Sequence, residues 1–188
     1  YDGDFLGMDA SKICGEMYAQ DEYKPSNRAT FENMGKSIWD MLNETEWFDR
    51  SVDSFFAVFG YMNIFVSQRY YDFYRIILGI GLVGFLWGCI CKKAKGDGVL
   101  YLCCVICMVT PVILSAVNSY SSDFQQQGRY FMPALPALML LTTRGYQWLE
   151  ETCKLKKPLL TLFICLAWGA AFARLFIKVM IPHLYVGI

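Results

Sequence analysis

Three stretches of the chain are apolar almost without interruption, and they set the expected architecture. Phe73 to Cys91 (FYRIILGIGLVGFLWGCIC) carries one charge, Arg75, near its start. Val99 to Asn118 (VLYLCCVICMVTPVILSAVN) carries none, and Leu159 to Val179 is apolar until Arg174 and Lys178. Each approaches the roughly 20 apolar residues that a helix needs to cross the hydrocarbon of a bilayer. A fourth stretch, 130–148, is weaker, because its apolar part from Phe131 to Leu141 gives way to Thr142-Thr143-Arg144. Aromatic residues mark both its ends, and the chain must return across the bilayer at this point. The pattern predicts transmembrane helices over about 73–91, 99–118, 130–148 and 159–179, the second kinked at Pro111.

Residues 1–72 read differently. Phe31, Met34, Ile38, Met41 and Leu42 recur at helical spacing with Glu32, Lys36 and Asp40 between them, and Thr30 suits an N-cap. This predicts an amphipathic helix over about 30–43. Phe55 to Val66 (FFAVFGYMNIFV) is too short to span and reads as an interfacial helix over about 55–66. The following QRYYDFY, residues 68–74, reads as an aromatic belt at headgroup level. The expected fold class is therefore an all-α membrane protein: a transmembrane bundle of about four helices over 73–188, preceded by an external helical segment.

Composition agrees and adds direction. Only 18% of the 188 residues are charged, against about 25% in soluble domains. Residues 1–71 hold 12 acids and 6 bases, whereas residues 72–188 hold 5 acids and 11 bases. These features exclude a disordered chain, a basic nucleic-acid-binding module and an ordinary soluble enzyme. Lys92, Lys93 and Lys95 lie between the first two spans, and Lys154, Lys156 and Lys157 between the last two. Lysine-rich loops stay in the cytoplasm, which places residues 1–72, loop 119–130 and the C-terminus outside a multi-pass cell-membrane protein. The cysteines do not read as a disulfide framework, since most lie in or beside apolar runs; Cys103-Cys104-x-x-Cys107 has no His nearby and reads as packing. Asn43-Glu44-Thr45 is a glycosylation triplet on the external side. The chain opens at Tyr1 without Met or a signal-peptide pattern, and is expected to be the C-terminal piece of a longer polypeptide.

The richest chemistry lies in Gln125 to Pro136 (QQQGRYFMPALP), where an outer loop enters a membrane helix. A guanidinium at Arg129, amide donors at a helix start, the Tyr130 hydroxyl and a close backbone approach at Gly128 together suit a phosphate. Pro133 is expected in the first helical turn and Pro136 at a bend soon after. Alternatively, Arg129 only snorkels to lipid headgroups. Arg174 and Lys178, four apart on one helical face, either join Arg129 around the anion or anchor the last span. Arg75 and Asp72 are spaced to pair with each other, and Arg144 reads as an inner-boundary anchor. Asp49 and Asp53 flank the interfacial run and are candidates for receiving an acceptor hydroxyl or holding a divalent ion. The sequence identifies no metal ligand set.

The QGRYFMPALP string resembles the signature of a bacterial membrane-protein family, the domain of unknown function twenty-one forty-two. Ser54 to Asn63 (SFFAVFGYMN) resembles that family's second recurring stretch, an SFW-x-x-FGW-like pattern before a membrane helix. Phe56 stands where the family usually has Trp, and Tyr61 where it has another aromatic. The family is related to GT-C glycosyltransferases, polytopic enzymes that move a sugar from a polyprenyl-phosphate donor to an acceptor outside the cytoplasmic membrane. The resemblance implies donor-phosphate binding by Arg129, Gln127, Tyr130 and Arg174. It also implies an acceptor or lipid lining formed by Phe55, Phe56, Phe59 and Tyr61. Its partners would be membrane lipid, a polyprenyl-phosphate-linked sugar and a glycan acceptor, with no nucleic acid. Family members carry an acidic motif with a nearby His in the first external loop. The single His here, His183, lies near the C-terminus, so the catalytic base is expected upstream.

The function expected from these residues is sugar transfer from a lipid-phosphate donor to a cell-surface glycan on the outer face. Two alternatives stand beside it: a non-catalytic component that binds or flips a lipid-linked glycan, and a structural subunit with snorkelling arginines.

Overall fold

The computed structural model describes residues 4, 7–59, 64–91, 97–155 and 159–186. The element order is α1 (Met8–Tyr18), two 3₁₀ turns (Asp21–Tyr23, Pro25–Asn27), α2 (Ile38–Glu44), α3 (Trp47–Ala57), β1 (Val58–Phe59) and β2 (Ile64–Phe65). Then follow α4 (Gln68–Ile90), α5 (Gly98–Ser121), a 3₁₀ segment (Gly128–Ala134), α6 (Leu135–Thr152), α7 (Leu159–Leu175), a π turn (Phe176–Met180) and α8 (Ile181–Val186). The chain forms two compact units: one of Tyr1–Ser51 with Ile113–Gln126, the other of Val52–Val112 with Gln127–Ile188.

In the first unit, polar contacts organise short elements. The Glu16 carboxylate on α1 accepts the Ser26 N–H at 2.5 Å and the Ser26 hydroxyl at 2.9 Å. Asn33 donates to the carbonyls of Pro25 and Arg28, at 2.9 and 2.8 Å. The helix expected over 30–43 begins later. Thr30 caps only a turn, accepting the Asn33 N–H at 3.1 Å, and Gly35 takes a left-handed φ of 69°. The helix starts behind Ser37, whose hydroxyl accepts the Asp40 N–H while Asp40 accepts the Ser37 N–H. This reciprocal capping box is a stronger start signal than Thr30, and it decides the boundary. Thr45 closes α2 by donating to the Met41 carbonyl at 2.6 Å. Glu46, at φ 52°, then turns the chain into α3.

The core of this unit is Trp47, 1% exposed, with Met41, Ser51, Ser119 and Thr30 also buried. The Trp47 indole N–H reaches the Ser119 hydroxyl at 3.0 Å and the Gln125 carbonyl at 3.1 Å, and Ser119 donates to that carbonyl at 2.8 Å. Gln126 reaches the Thr45 carbonyl at 2.6 Å.

The second unit is built on a close crossing of α4 and α6. A Cβ added at Gly145 of α6 would lie 1.7 Å from the Gly81 carbonyl oxygen of α4. Only glycine admits backbones at that separation, as in small-residue membrane helix interfaces. Tyr146 locks the seam by donating to the Ile77 carbonyl at 2.7 Å. Farther along, Phe85 stacks on Trp148 at 5.3 Å, and Tyr101 of α5 meets both rings edge-on. Pro111 lies inside α5 without ending it.

A second cluster gathers Ala57, Val66, Tyr71, Tyr74 and Leu175. The interfacial helix expected over 55–66 is not formed, because α3 ends at Ala57. Val58 and Phe59 then pair antiparallel with Phe65 and Ile64. These β-branched and aromatic residues suit a strand pair. The Tyr71 hydroxyl ties the hairpin ends, donating to the Ala57 carbonyl at 3.0 Å and accepting the Val66 N–H at 3.3 Å. The aromatic belt is therefore corrected in part: Tyr71 and Tyr74 are core residues.

The predicted third span also differs. Residues 128–134 are 3₁₀, and the α-helix runs from Leu135 to Thr152, with Pro136 rather than Pro133 in its first turn. Glu150, fully buried on α6, accepts the N–H and the hydroxyl of Thr161 at 2.8 and 3.2 Å, capping the start of α7.

The protein is a helical membrane protein. Among the described residues, Gln68–Ile90, Gly98–Ser121 and Leu159–His183 are long and apolar enough to cross a bilayer. α6 falls outside that set, being less apolar and packed between α4 and α7.

Candidate functional site

An apolar groove of about 500 Å³ opens within the second unit. α4 supplies Tyr74, Ile77 and Leu78; α6 supplies Leu135, Met139, Thr143 and Tyr146; α7 supplies residues from Thr161 to Phe172. Phe55 and Phe56 of α3 and Met132 of the 3₁₀ segment complete it, and among the described residues no charged side chain lines it. Its few polar groups are mostly committed. Tyr146 is bonded to Ile77, and Thr161 to Glu150. The Trp168 indole N–H, buried at the groove, has no hydrogen-bond partner among the described residues. A groove of this size and character suits a hydrocarbon chain carrying one polar feature.

The 3₁₀ segment sets what stands beside the groove. Three residues per turn bring every third side chain onto one face. Gly128, Phe131 and Ala134 form the buried face, while Arg129 and Met132 share another. Met132 lines the groove, so Arg129 stands one turn, about 6 Å, along the axis from a groove residue. Gly128 is required for packing, because a Cβ there would lie 2.0 Å from the Phe55 backbone nitrogen. The close approach predicted for a ligand is made by α3 instead. The Gly128 N–H goes to the Ser54 hydroxyl at 3.1 Å, the Tyr130 N–H to the Gln127 carbonyl at 3.3 Å, and the Leu135 N–H to Met132. The Gly128 and Tyr130 amide donors, expected to face a phosphate, are thus already used.

Arg129 is exposed. It donates to the Tyr130 hydroxyl at 3.1 Å, with its guanidinium carbon 5.0 Å from the centre of that ring. This cation–π contact orients the side chain. Gln127 is half-buried next to them. Arg174 is exposed in the last turn of α7. The predicted Arg174–Lys178 face is altered by the intervening π turn, whose i→i+5 bonding changes the angular step. Of the proposed lining, Phe55 and Phe56 border the groove, Phe59 packs on the second cluster, and Tyr61 lies outside the described residues.

Arg75 pairs with Asp53 at 2.7 Å, not with Asp72, which accepts from Gln68 at 3.3 Å. Arg144 lies 3.8 Å from Asp97 and bonds Gln147. Among the described residues, no three His, Cys, Asp or Glu side chains gather as a metal site.

Two features escaped the sequence reading. The Glu150 cap leaves Oε2 buried without a partner among the described residues. An acid two residues past the expected 130–148 span was the available signal. The groove residues of α7 (Cys165, Trp168, Gly169, Phe172) recur at helical spacing, but a wholly apolar helix has no contrasting face to mark them.

Comparison of the chain with protein-family models, curated proteins and solved structures finds no match.

Proposed function

We propose that this chain is the carrier-binding part of a GT-C-like membrane glycosyltransferase. It would use a polyprenyl-phosphate-linked sugar to modify a cell-surface glycan on the outer face of the cell membrane. The observation that carries the reading is the uncharged groove with Arg129 one 3₁₀ turn from its Met132 wall. The isoprenoid lies along Tyr74, Met139 and Trp168, and its phosphate meets the Arg129 guanidinium. When an acceptor hydroxyl attacks the anomeric carbon, the sugar–phosphate bond breaks and the departing polyprenyl phosphate gains negative charge. A positioned cation lowers the barrier to that step. The acidic base that takes the acceptor proton is not assigned to a residue of this chain.

The test is Arg129→Ala in the full-length protein, read as transfer of labelled sugar from a polyprenyl-phosphate donor. Transfer is expected to fall about a hundredfold or more, and unchanged transfer by a folded variant overturns the reading. The second reading, a component that binds or flips a lipid-linked glycan, is favoured by the groove's lack of a lining carboxylate. It predicts carrier binding sensitive to Arg129 with no transfer by the native protein.

A further inference from the structure

A second cavity lies wholly within the first unit and is chemically the groove's opposite. Its volume is about 380 Å³, within the range of small-molecule sites. Ser11, Lys12, Arg28, Ser121 and Ser122 line it together with glycine and proline, and among the described residues no carboxylate does. The setting makes those two cations unusual. Residues 1–51 and 113–126 contain 12 acids and 5 bases. Lys24 pairs with Asp21 at 2.5 Å, Lys36 with Glu44 at 2.6 Å, and Arg50 with Glu46 at 3.7 Å. The side chains of Lys12 and Arg28 alone make no ion pair or hydrogen bond with any described residue. Both face one cavity.

The fold holds them there. Glu16, one turn along α1 from Lys12, spends both carboxylate oxygens on Ser26, pinning the 3₁₀ turn that leads to Arg28. Asn33 fixes the same segment through the Pro25 and Arg28 carbonyls. Two like charges held at one cavity within an acidic unit favour an anion between them. The Ser11 hydroxyl adds a group that both donates and accepts, while Ser121 donates to the Val117 carbonyl at 3.0 Å and lies 3.4 Å from the Ser122 hydroxyl, so that pair adds acceptor lone pairs for a ligand's hydroxyl donors.

We propose that this cavity binds an acidic saccharide, with its phosphate or carboxylate between Lys12 and Arg28 and its hydroxyls on Ser11, Ser121 and Ser122. The proposal uses none of the groove's residues and stands independently of the sugar-transfer reading. The test is calorimetric titration of the full chain in uncharged detergent at low salt, with glucose 6-phosphate, glucuronate, glucose and inorganic phosphate as separate probes. At least one acidic sugar is expected to bind about tenfold or more tighter than glucose and inorganic phosphate, and the tighter of the two identifies the anion. The K12Q/R28Q double variant should lose about tenfold or more in affinity. K12R/R28K, which keeps both charges, should bind within about threefold of native, and R50Q, which breaks a paired cation, should bind as native. Glucose binding as tightly as the acids removes the anion requirement, and inorganic phosphate doing so removes the saccharide. Native-like binding by K12Q/R28Q, equal loss in K12R/R28K, or equal loss in R50Q overturns the assignment of the two cations.

Discussion

The two units solve the same packing problem with different materials. In the first, the buried centre is a tryptophan whose N–H is shared between a serine hydroxyl and a backbone carbonyl. Around it, short helices are fixed by capping and by side chains bonded to loops. In the second, long helices meet through glycine and stacked aromatic rings, with the Tyr146 hydroxyl bonded to the Ile77 carbonyl across the seam. The difference is the one that surroundings of water and of lipid would impose. Apolar burial drives assembly in water, whereas inside lipid it gives helices little reason to associate, so close contact and specific polar locks take over. Water also satisfies the ends of short elements, which lipid cannot do.

This contrast is most severely tested at the helix seam. Gly145→Val would force α4 and α6 apart and is expected to cost more than about 4 kcal/mol. Hydrogen–deuterium exchange should accelerate over 68–90 and 135–152, with little change at 38–51. Native protection in the seam would show that the backbones are not in close contact. Trp47→Phe probes the other unit, keeping an aromatic ring while removing the buried N–H shared by the Ser119 hydroxyl and the Gln125 carbonyl, which keep their bond to each other. A loss of about 1–3 kcal/mol is expected, with faster exchange confined to 38–51 and 113–126.

Glu150→Ala should cost about 1 kcal/mol, because the lost cap on Thr161 is partly offset by removal of the orphaned Oε2. Exchange at the first turn of α7 is the readout, and Glu150→Gln should protect it better than Ala. The smallest effect is at Ser37, where Ala should cost about 0.5–1 kcal/mol of stability. That difference should depend on pH. Hydrogen bonds from the Ser37 backbone and side chain hold the Asp40 carboxyl below its ordinary value of 3.8, aided by Lys36. A carboxyl with a lowered folded-state value adds stability that is full above the unfolded value and fades as pH falls through the folded one. The gap between the native protein and Ser37→Ala should therefore narrow as pH falls below about 3.8 without closing, because the Asp40 N–H bond to the Ser37 hydroxyl survives protonation, and a constant gap across that range would refute the bond from that hydroxyl to the carboxylate.

Legibility followed the same division. The apolar runs of α4, α5 and α7 were visible because a span must be apolar along its whole length, whatever packs on it. α2 was visible in kind but started late, since the Thr30 and Ser37 caps compete locally and only Ser37 has an acid three residues on. α1 left little trace, with Ile13, Met17 and Tyr18 largely exposed and no apolar face to mark a helix. At the site, Arg129 and Tyr130 stood out as adjacent polar residues at a span boundary, and the structure brings them together. The groove did not stand out, because its walls come from five elements spread along the sequence.

What the amino-acid order determined by itself was the three apolar runs long enough to cross a bilayer and the chemical contrast between the acidic and basic regions, properties that add along the chain. What tertiary structure decided was where polar groups spend their bonds. Arg75 found Asp53 rather than Asp72, and Gly128 made room for Phe55. Such choices depend on distances between elements that only folding brings together, and a buried polar group takes the partner within reach.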